Sequence, residues 1–273
     1  MAFFDYQGNA VYYEFETNDN PVLVLLNGIM MSTRSWQPFV EPLGAHFRLL
    51  RLDFFDQGQS AKRNHSYRQD LQVEMLESLF EYLKLDTLHL VGISYGASVA
   101  LQYALVYPNR LRTLSVFNGV AQTSPWLKSV GDGWNRVALS RDGEAYYHIT
   151  IPYIYSHAFY HRAYDWMLER KNTLIEIFSD PQFLDAMIRL THSAESHNVL
   201  ERLYQLQIPT LVVASQNDVL TPPYEQQRIV ERIPHAVFEM YPDTGHASMY
   251  EQPEKFVQSI LGFCLNQHPK IKI

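Results

Sequence analysis

Leu88-His89-Leu90-Val91-Gly92-Ile93-Ser94-Tyr95-Gly96-Ala97-Ser98 is the stretch that decides the reading of this 273-residue chain. Residues 88–91 form a short apolar run stopped by Gly92, which suits a buried strand. Residues 97–106 are apolar enough for a central helix and stop before Pro108. Between them lies Gly-x-Ser-x-Gly. The string alone is a weak signal, but a strand before it and a helix after it form the context that a serine nucleophile needs. On such a sharp turn the hydroxyl projects clear of the sheet. Side chains at 92 and 96 would collide with strand and helix, and glycine removes them. Ala97 and Ser98 keep the start of the helix small. The helix also points its positive N-terminal end at developing negative charge. The competing reading is an ordinary glycine-rich turn.

Outward from this turn the same rhythm repeats. Val22–Leu26 is an apolar run stopped by Asn27-Gly28, and residues 47–52 form another, stopped at Asp53. Residues 114–117 end at Asn118-Gly119, residues 210–214 follow Pro209, and residues 236–241 precede Pro242. Continuous apolar runs with turn residues at their ends suit strands buried on both faces of a parallel sheet. Helical patterns lie between them. In residues 70–85, Leu71, Met75, Leu76, Leu79, Phe80 and Leu83 follow a 3.6-residue period, and residues 224–233 and 253–263 complete the set. An early hairpin, residues 3–6 and 11–15 around Gly8-Asn9, suits an antiparallel edge. The pattern predicts an α/β fold, a mostly parallel open sheet with helices on both faces.

From about residue 121 to 205 the strand rhythm disappears, and eight aromatics crowd residues 146–166. An insertion of this length is too long for an ordinary loop. It is expected to form a helical cap over the C-terminal edge of the sheet, where open α/β sheets bind ligands. The expected division is a core of residues 1–120 and 206–273 with a cap of residues 121–205. The cap tyrosines either line an apolar pocket or simply pack the cap. Asn27, Met30, Tyr153 and Trp126 are the candidate substrate-binding residues.

A serine needs a base, and eleven histidines compete. His246 follows the last strand in Asp243-Thr244-Gly245-His246-Ala247, where a glycine lets the loop hold the ring over the sheet edge. His89 lies within a strand and suits a packed role. The base in turn needs a carboxylate to fix its tautomer. Asp218 sits just past the strand at 210–214; Asp243 is nearer in sequence but would have to fold back within a tight turn, so Asp218 is preferred. The expected oxyanion hole pairs the backbone N–H of Tyr95, the residue after the nucleophile, with that of Ile29 in the loop after Val22–Leu26.

Composition sets the outer limits. Hydrophobic residues make up 47% of the chain and charged residues 19%, enough to bury a core and too apolar for intrinsic disorder. A net charge of -7 leaves no basic footprint for nucleic acid. A single cysteine, Cys264, excludes an internal disulfide and any multi-cysteine metal site. No dinucleotide-type glycine loop and no hydrolytic zinc spacing appears, so neither a cofactor nor a metal is expected. The N-terminus lacks the marks of a secretory signal, and the most apolar run, residues 22–31, is about half a membrane span. A cytoplasmic protein with no membrane span is expected.

With Ser94, Asp218 and His246 in that order, the sequence resembles the α/β-hydrolase superfamily, in its capped branch of small esterases and lactonases. Leu25-Leu26-Asn27-Gly28 is similar to the family's oxyanion-loop motif, which normally ends in His-Gly. Residues 52–60 resemble its Asp-x-x-x-x-Gly-x-Ser loop, and residues 243–254 its histidine loop and final helix. Relatives that act as dehalogenases or epoxide hydrolases carry aspartate where Ser94 stands. The resemblance implies a serine hydrolase that cleaves a carboxylic ester, thioester or lactone through an acyl-enzyme, acting on a small acyl substrate with an apolar part. Asn27 departs from the pattern. With residues 47–60 it is similar to the acyltransferase that condenses 3-hydroxyacyl groups into the rhamnolipid precursor, which implies acyl transfer as an alternative; simple drift of the loop is the other account. A ligand receptor on a hydrolase scaffold is a third reading.

Overall fold

The computed structural model describes residues 2–266. One sheet holds strands β1 (Ala2–Tyr6), β2 (Asn9–Phe15), β3 (Val22–Leu26), β4 (Arg48–Leu52), β5 (Leu88–Ile93), β6 (Leu111–Phe117), β7 (Thr210–Ser215) and β8 (Val237–Tyr241). Their spatial order is β1-β2-β4-β3-β5-β6-β7-β8. The β1–β2 and β2–β4 pairs are antiparallel and the others parallel. The hairpin turns on Gln7 and Gly8, both at positive φ (52° and 78°), the geometry that a tight hairpin requires. Chain order reverses at β3, which leads to β4 on one side and lies against β5 on the other. Connections therefore diverge there, and a crevice opens at the C-terminal ends of the strands.

The helices are α1 (Gln37–Gly44), α2 (Asp70–Tyr82), α3 (Tyr95–Val106), α4 (Pro125–Leu139), α5 (Gly143–Ile154), α6 (His157–Arg162), α7 (Tyr164–Phe178), α8 (Pro181–Ala194), α9 (Pro223–Arg232), α10 (Ser248–Glu251) and α11 (Pro253–Asn266). Alternation along each strand divides the core. Leu23, Leu25, Leu49, Val91 and Val213 face Phe39 of α1 and Phe256 and Ile260 of α11. Val24, Leu26, Leu50, Leu90 and Val212 face the side held by α2, α3 and α9. Both faces are thus covered, which is why the strands read as unbroken apolar runs. Helix α1 carries no mark in the sequence pattern because Pro38 and Pro42 read as breakers. Pro38 falls in the first turn, where a missing N–H leaves nothing unpaired.

Five helices, α4 to α8, stand between β6 and β7. Four begin on a side-chain cap: Ser124, Asp142, Ser156 and Asp180 accept from the backbone N–H of Leu127, Ala145, Phe159 and Gln182. Aromatic pairing holds them together. Tyr155 stacks on Phe159 at 5.4 Å, Trp166 meets both edge-on, and Tyr146 meets Phe178 at 5.2 Å. Polar contacts tie this helical unit to the sheet at two ends. Arg189 of α8 donates to the buried Asp56 at 2.7 Å, and the Ser156 N–H donates to Glu251 at 2.8 Å.

His197 closes the same seam. It is buried, donates from Nε2 to the Val120 carbonyl at 2.9 Å, and receives Gln102 at Nδ1. Burial pushes its pKa down to about 4, against the pull of the carbonyl bond. At neutral pH the ring is uncharged in both the folded and unfolded chain. As pH falls below the ordinary value of 6.5, the unfolded chain takes up a proton that the folded chain refuses until about pH 4. Stability is therefore lost downward through that window, by about 2–3 kcal/mol on reaching about pH 4.5. Urea unfolding at neutral pH and at about pH 4.5 should show that loss in the wild type and a loss smaller by about that amount in His197→Asn.

Candidate active site

β5 ends at Ile93 and α3 begins at Tyr95, so the whole reversal falls on Ser94. Its backbone stands at φ 54°, ψ -115°, a region that residues with a Cβ avoid at a cost of about 1–3 kcal/mol. The surroundings hold it there. The Ser94 N–H donates to Phe117 O on β6 at 2.9 Å, and its carbonyl accepts from Ala97 and Ser98 at 3.0 and 3.2 Å. The flanking glycines are steric requirements. A Cβ on Gly92 would lie 2.4 Å from the Gly96 carbonyl oxygen, and one on Gly96 would lie 2.4 Å from that of Leu26.

The His246 ring reaches this turn from the loop after β8. Its Nε2 lies 2.8 Å from Ser94 Oγ, and its Nδ1 lies 2.8 Å from Asp218 Oδ2, in the turn after β7. A carboxylate only accepts, so Nδ1 carries the proton and Nε2 is left to accept from the Ser94 hydroxyl. Asp218 is 3% exposed and richly bonded. Oδ1 accepts from the N–H groups of Leu220 and Thr221, both at 2.9 Å. Oδ2 accepts from Thr221 Oγ1 at 2.8 Å and Asn118 Nδ2 at 3.0 Å. Asp243 is exposed in its turn, at φ 51°, and His246 turns to Asp218 instead.

Asn118 is a site residue that the sequence did not reveal. It is fully buried, at φ 48°, just past β6. Besides Asp218 it donates to Ser215 Oγ at 2.9 Å, and it accepts from Ser248 Oγ at 2.7 Å. One amide thus joins the ends of β6 and β7 to the segment that follows His246. In the sequence, Asn118-Gly119 after an apolar run signals only a turn.

The loop after β3 is locked from behind. Asn27 is fully buried with its amide occupied: Nδ2 donates to Leu52 O at 2.9 Å and Gln57 Oε1 at 3.0 Å, and Oδ1 accepts from Trp36 Nε1 at 2.6 Å. Gln57 Nε2 in turn donates to the carbonyls of Gly28 at 2.8 Å and Ile29 at 3.2 Å. A trans peptide sets N–H opposite C=O, so tying back the Gly28 carbonyl turns the Ile29 N–H away from Gln57. At the start of α3, the N–H groups of Tyr95 and Gly96 lie in the first turn, where no intrahelical acceptor exists.

Ser94 stands where two chambers meet, with Ile29, Trp134 and Leu220 also common to both walls. The first is bounded mainly by apolar side chains, among them Met30, Ile151, Leu174 and Phe178, and includes Arg170 and His246. The second is also mainly apolar and adds Gln69, Thr123, Lys128 and Glu195 to its wall. A larger open groove over β8 and α11 contains none of Ser94, Asp218 and His246 and is a surface feature.

The structure brings Met30 and Ile29 to the cavity wall, but not three other residues expected there. Asn27 is consumed by the lock behind the loop, which accounts for an asparagine at this position without any acyl acceptor. Tyr153 is absent from both chamber walls and packs on the core, while its neighbours Ile154 and Tyr155 line the first chamber. Trp126 is half exposed and borders an outer groove with Pro152 and Val219. His89 packs within the sheet, its Nδ1 2.8 Å from Thr113 Oγ1. Among the described residues no cluster of three or more His, Cys, Asp or Glu is placed to hold a metal ion, and no helix is long and apolar enough to cross a membrane.

Comparison with known proteins adds to this geometry. The family model for the alpha/beta hydrolase fold matches residues 21–253. A protein named as a carbamate hydrolase, RutD, of Caulobacter sp. strain K31 is 29% identical over 269 residues, covering 93% of this chain and 96% of its own. The 3-oxoadipate enol-lactonase 1 of Acinetobacter baylyi is 26% identical, with 94% of each chain covered. Among solved structures, MGS-M2, an alpha/beta hydrolase enzyme from a Medee basin deep-sea metagenome library, is 50% identical over the whole of both chains, with a TM-score of 0.96.

Proposed function

This chain belongs to the alpha/beta hydrolase fold family and is a hydrolase, and on that premise we propose that it cleaves a carboxylic ester, thioester or lactone through an acyl-enzyme on Ser94. One observation carries the reading: a single imidazole, His246, lies 2.8 Å from both the Ser94 hydroxyl and the Asp218 carboxylate. Ser94 Oγ attacks the carbonyl carbon while Nε2 takes its proton. Asp218 holds the ring in the tautomer that can accept and stabilises the imidazolium that results. The oxyanion is received by the N–H groups of Ile29 and Tyr95, with the positive end of α3 behind it. Nε2 then returns the proton to the leaving oxygen or sulfur, and the acyl group remains on Oγ. Water, deprotonated by the same nitrogen, releases the acid and restores the serine.

Residues 121–205 serve as the cap of this site. Their contribution is an apolar wall from α4, α5 and α7 beside Ser94. The names of the relatives, a carbamate hydrolase and an enol-lactonase, both denote cleavage at a carbonyl that bears a heteroatom, which supports the same reaction class for this chain. A chain-length series of activated esters and thioesters, 3-hydroxyacyl thioesters among them, tests the proposal. Free acid should appear in step with the alcohol or thiol. Ester-linked dimers in place of acid would make the enzyme an acyltransferase, and a folded protein inert to the whole series would overturn the reading.

A further inference from the structure

The first chamber carries a charge that the hydrolytic reaction does not use. Arg170 of α7 lines its wall, and among the described residues no aspartate or glutamate does. The guanidinium lies over the rings of Trp166 at 5.1 Å and Tyr250 at 4.9 Å. Burial works against its charge, and the hydroxyls of Tyr155 and Tyr250, which line the same chamber, hydrogen-bond the side chain and favour the charged form. Arg170 Nε is buried without a hydrogen-bond partner.

Other arginines of the molecule are paired with carboxylates. Arg51, Arg110 and Arg189 each meet a carboxylate, Glu14, Glu77 and Asp56, at 2.6–2.7 Å. Among the described residues no carboxylate forms an ion pair with Arg170. A guanidinium that is drawn out of water without a counter-ion is costly, and ring faces offset only part of that cost. Such a group, facing a cavity beside a nucleophile, is an open position for an anion.

We propose that Arg170 receives a carboxylate of the substrate, so that the ester, thioester or lactone cleaved at Ser94 carries an acidic group at its far end. The proposal rests on the hydrolytic reading above. A carboxylate fits better than a phosphate. The planar fork of arginine matches it with two parallel bonds, and the apolar wall supplies too few further donors for a dianion. The rest of that part of the substrate lies against Ile151, Leu174 and Phe178, which suits a short hydrocarbon spacer.

Matched pairs of esters test this. One pair is mono-p-nitrophenyl glutarate and p-nitrophenyl pentanoate, with the acid on the acyl side. The other is an acetate ester of a butyl alcohol with and without a terminal carboxylate, with the acid on the alcohol side. The readout is the ratio of kcat/KM for the charged ester to that for its neutral partner. In at least one pair the wild type should favour the charged ester. Arg170→Met should lower that ratio by about ten- to a hundredfold, chiefly through KM, and Arg170→Lys should keep part of it. If the wild type favours the charged ester in neither pair, or if Arg170→Met leaves the ratio unmoved, the assignment is overturned. Should Arg170→Met not fold, inhibition of the wild type by butyrate and butyramide reads the same preference, with butyrate the stronger if the assignment holds. The neutral esters judge the underlying reaction separately. Their cleavage with no charged preference removes only the role of Arg170, whereas cleavage that persists in Ser94→Ala removes the serine mechanism.

Discussion

Ser94→Ala is expected to lower kcat on a p-nitrophenyl ester by roughly four to six orders of magnitude. The fold should survive. Alanine keeps the Cβ at the strained position, and the backbone bonds to Phe117, Ala97 and Ser98 that hold it do not involve the hydroxyl. The hydroxyl's own bond is to His246. Steady-state kinetics and a thermal melt, measured on the same preparation, separate the two effects. His246→Ala should cost nearly as much, and the double variant little more than either single one, because nucleophile and base act as a unit.

Asp218→Asn is expected to cost about four orders of magnitude in kcat with little change in structure. The hydrogen bonds say why. Oδ1 accepts two backbone N–H groups, so an asparagine places its carbonyl oxygen there and its NH2 where Oδ2 was. That NH2 faces His246 Nδ1 and donates to it. The ring must then carry its proton on Nε2, the atom that should receive the proton of Ser94. The same NH2 also confronts the Asn118 amide, a second donor, so a modest loss of stability accompanies the loss of rate. Kinetics of the variant, compared with its thermal melt, check both parts.

What the sequence conveyed about this molecule was local. The turn at Ser94 is legible because its steric demands fall on Gly92 and Gly96, two residues away on either side. The central strands are legible because both faces of the sheet are covered there and most of their positions are apolar. The helical character of residues 121–205 is legible from lost strand rhythm, and the caps at Ser124, Asp142, Ser156 and Asp180 explain it. Contacts between distant residues leave no comparable trace. Asn118 meets Asp218 across 100 positions, and neither spacing nor residue type announces the pair. Asn27 stands in the loop after β3, where the proposed oxyanion donor Ile29 lies, and so reads as a substrate contact, yet Trp36 and Gln57 have claimed its amide. Trp126 and Tyr153 share the composition of a pocket wall, but the helical phase of α4 and α5 turns them elsewhere. Arg170 lies in a helix that also carries Asp165, Glu169, Lys171 and Glu176, and only the tertiary structure shows its side chain over two aromatic rings beside a cavity.

Labelling with a fluorophosphonate, read by intact mass and then mapped by peptide, tests the proposed mechanism most directly. The expected result is one phosphonyl group per chain, located on Ser94 and absent from both Ser94→Ala and His246→Ala. A folded, ester-cleaving protein that takes no label, or takes it on another residue, would contradict the account.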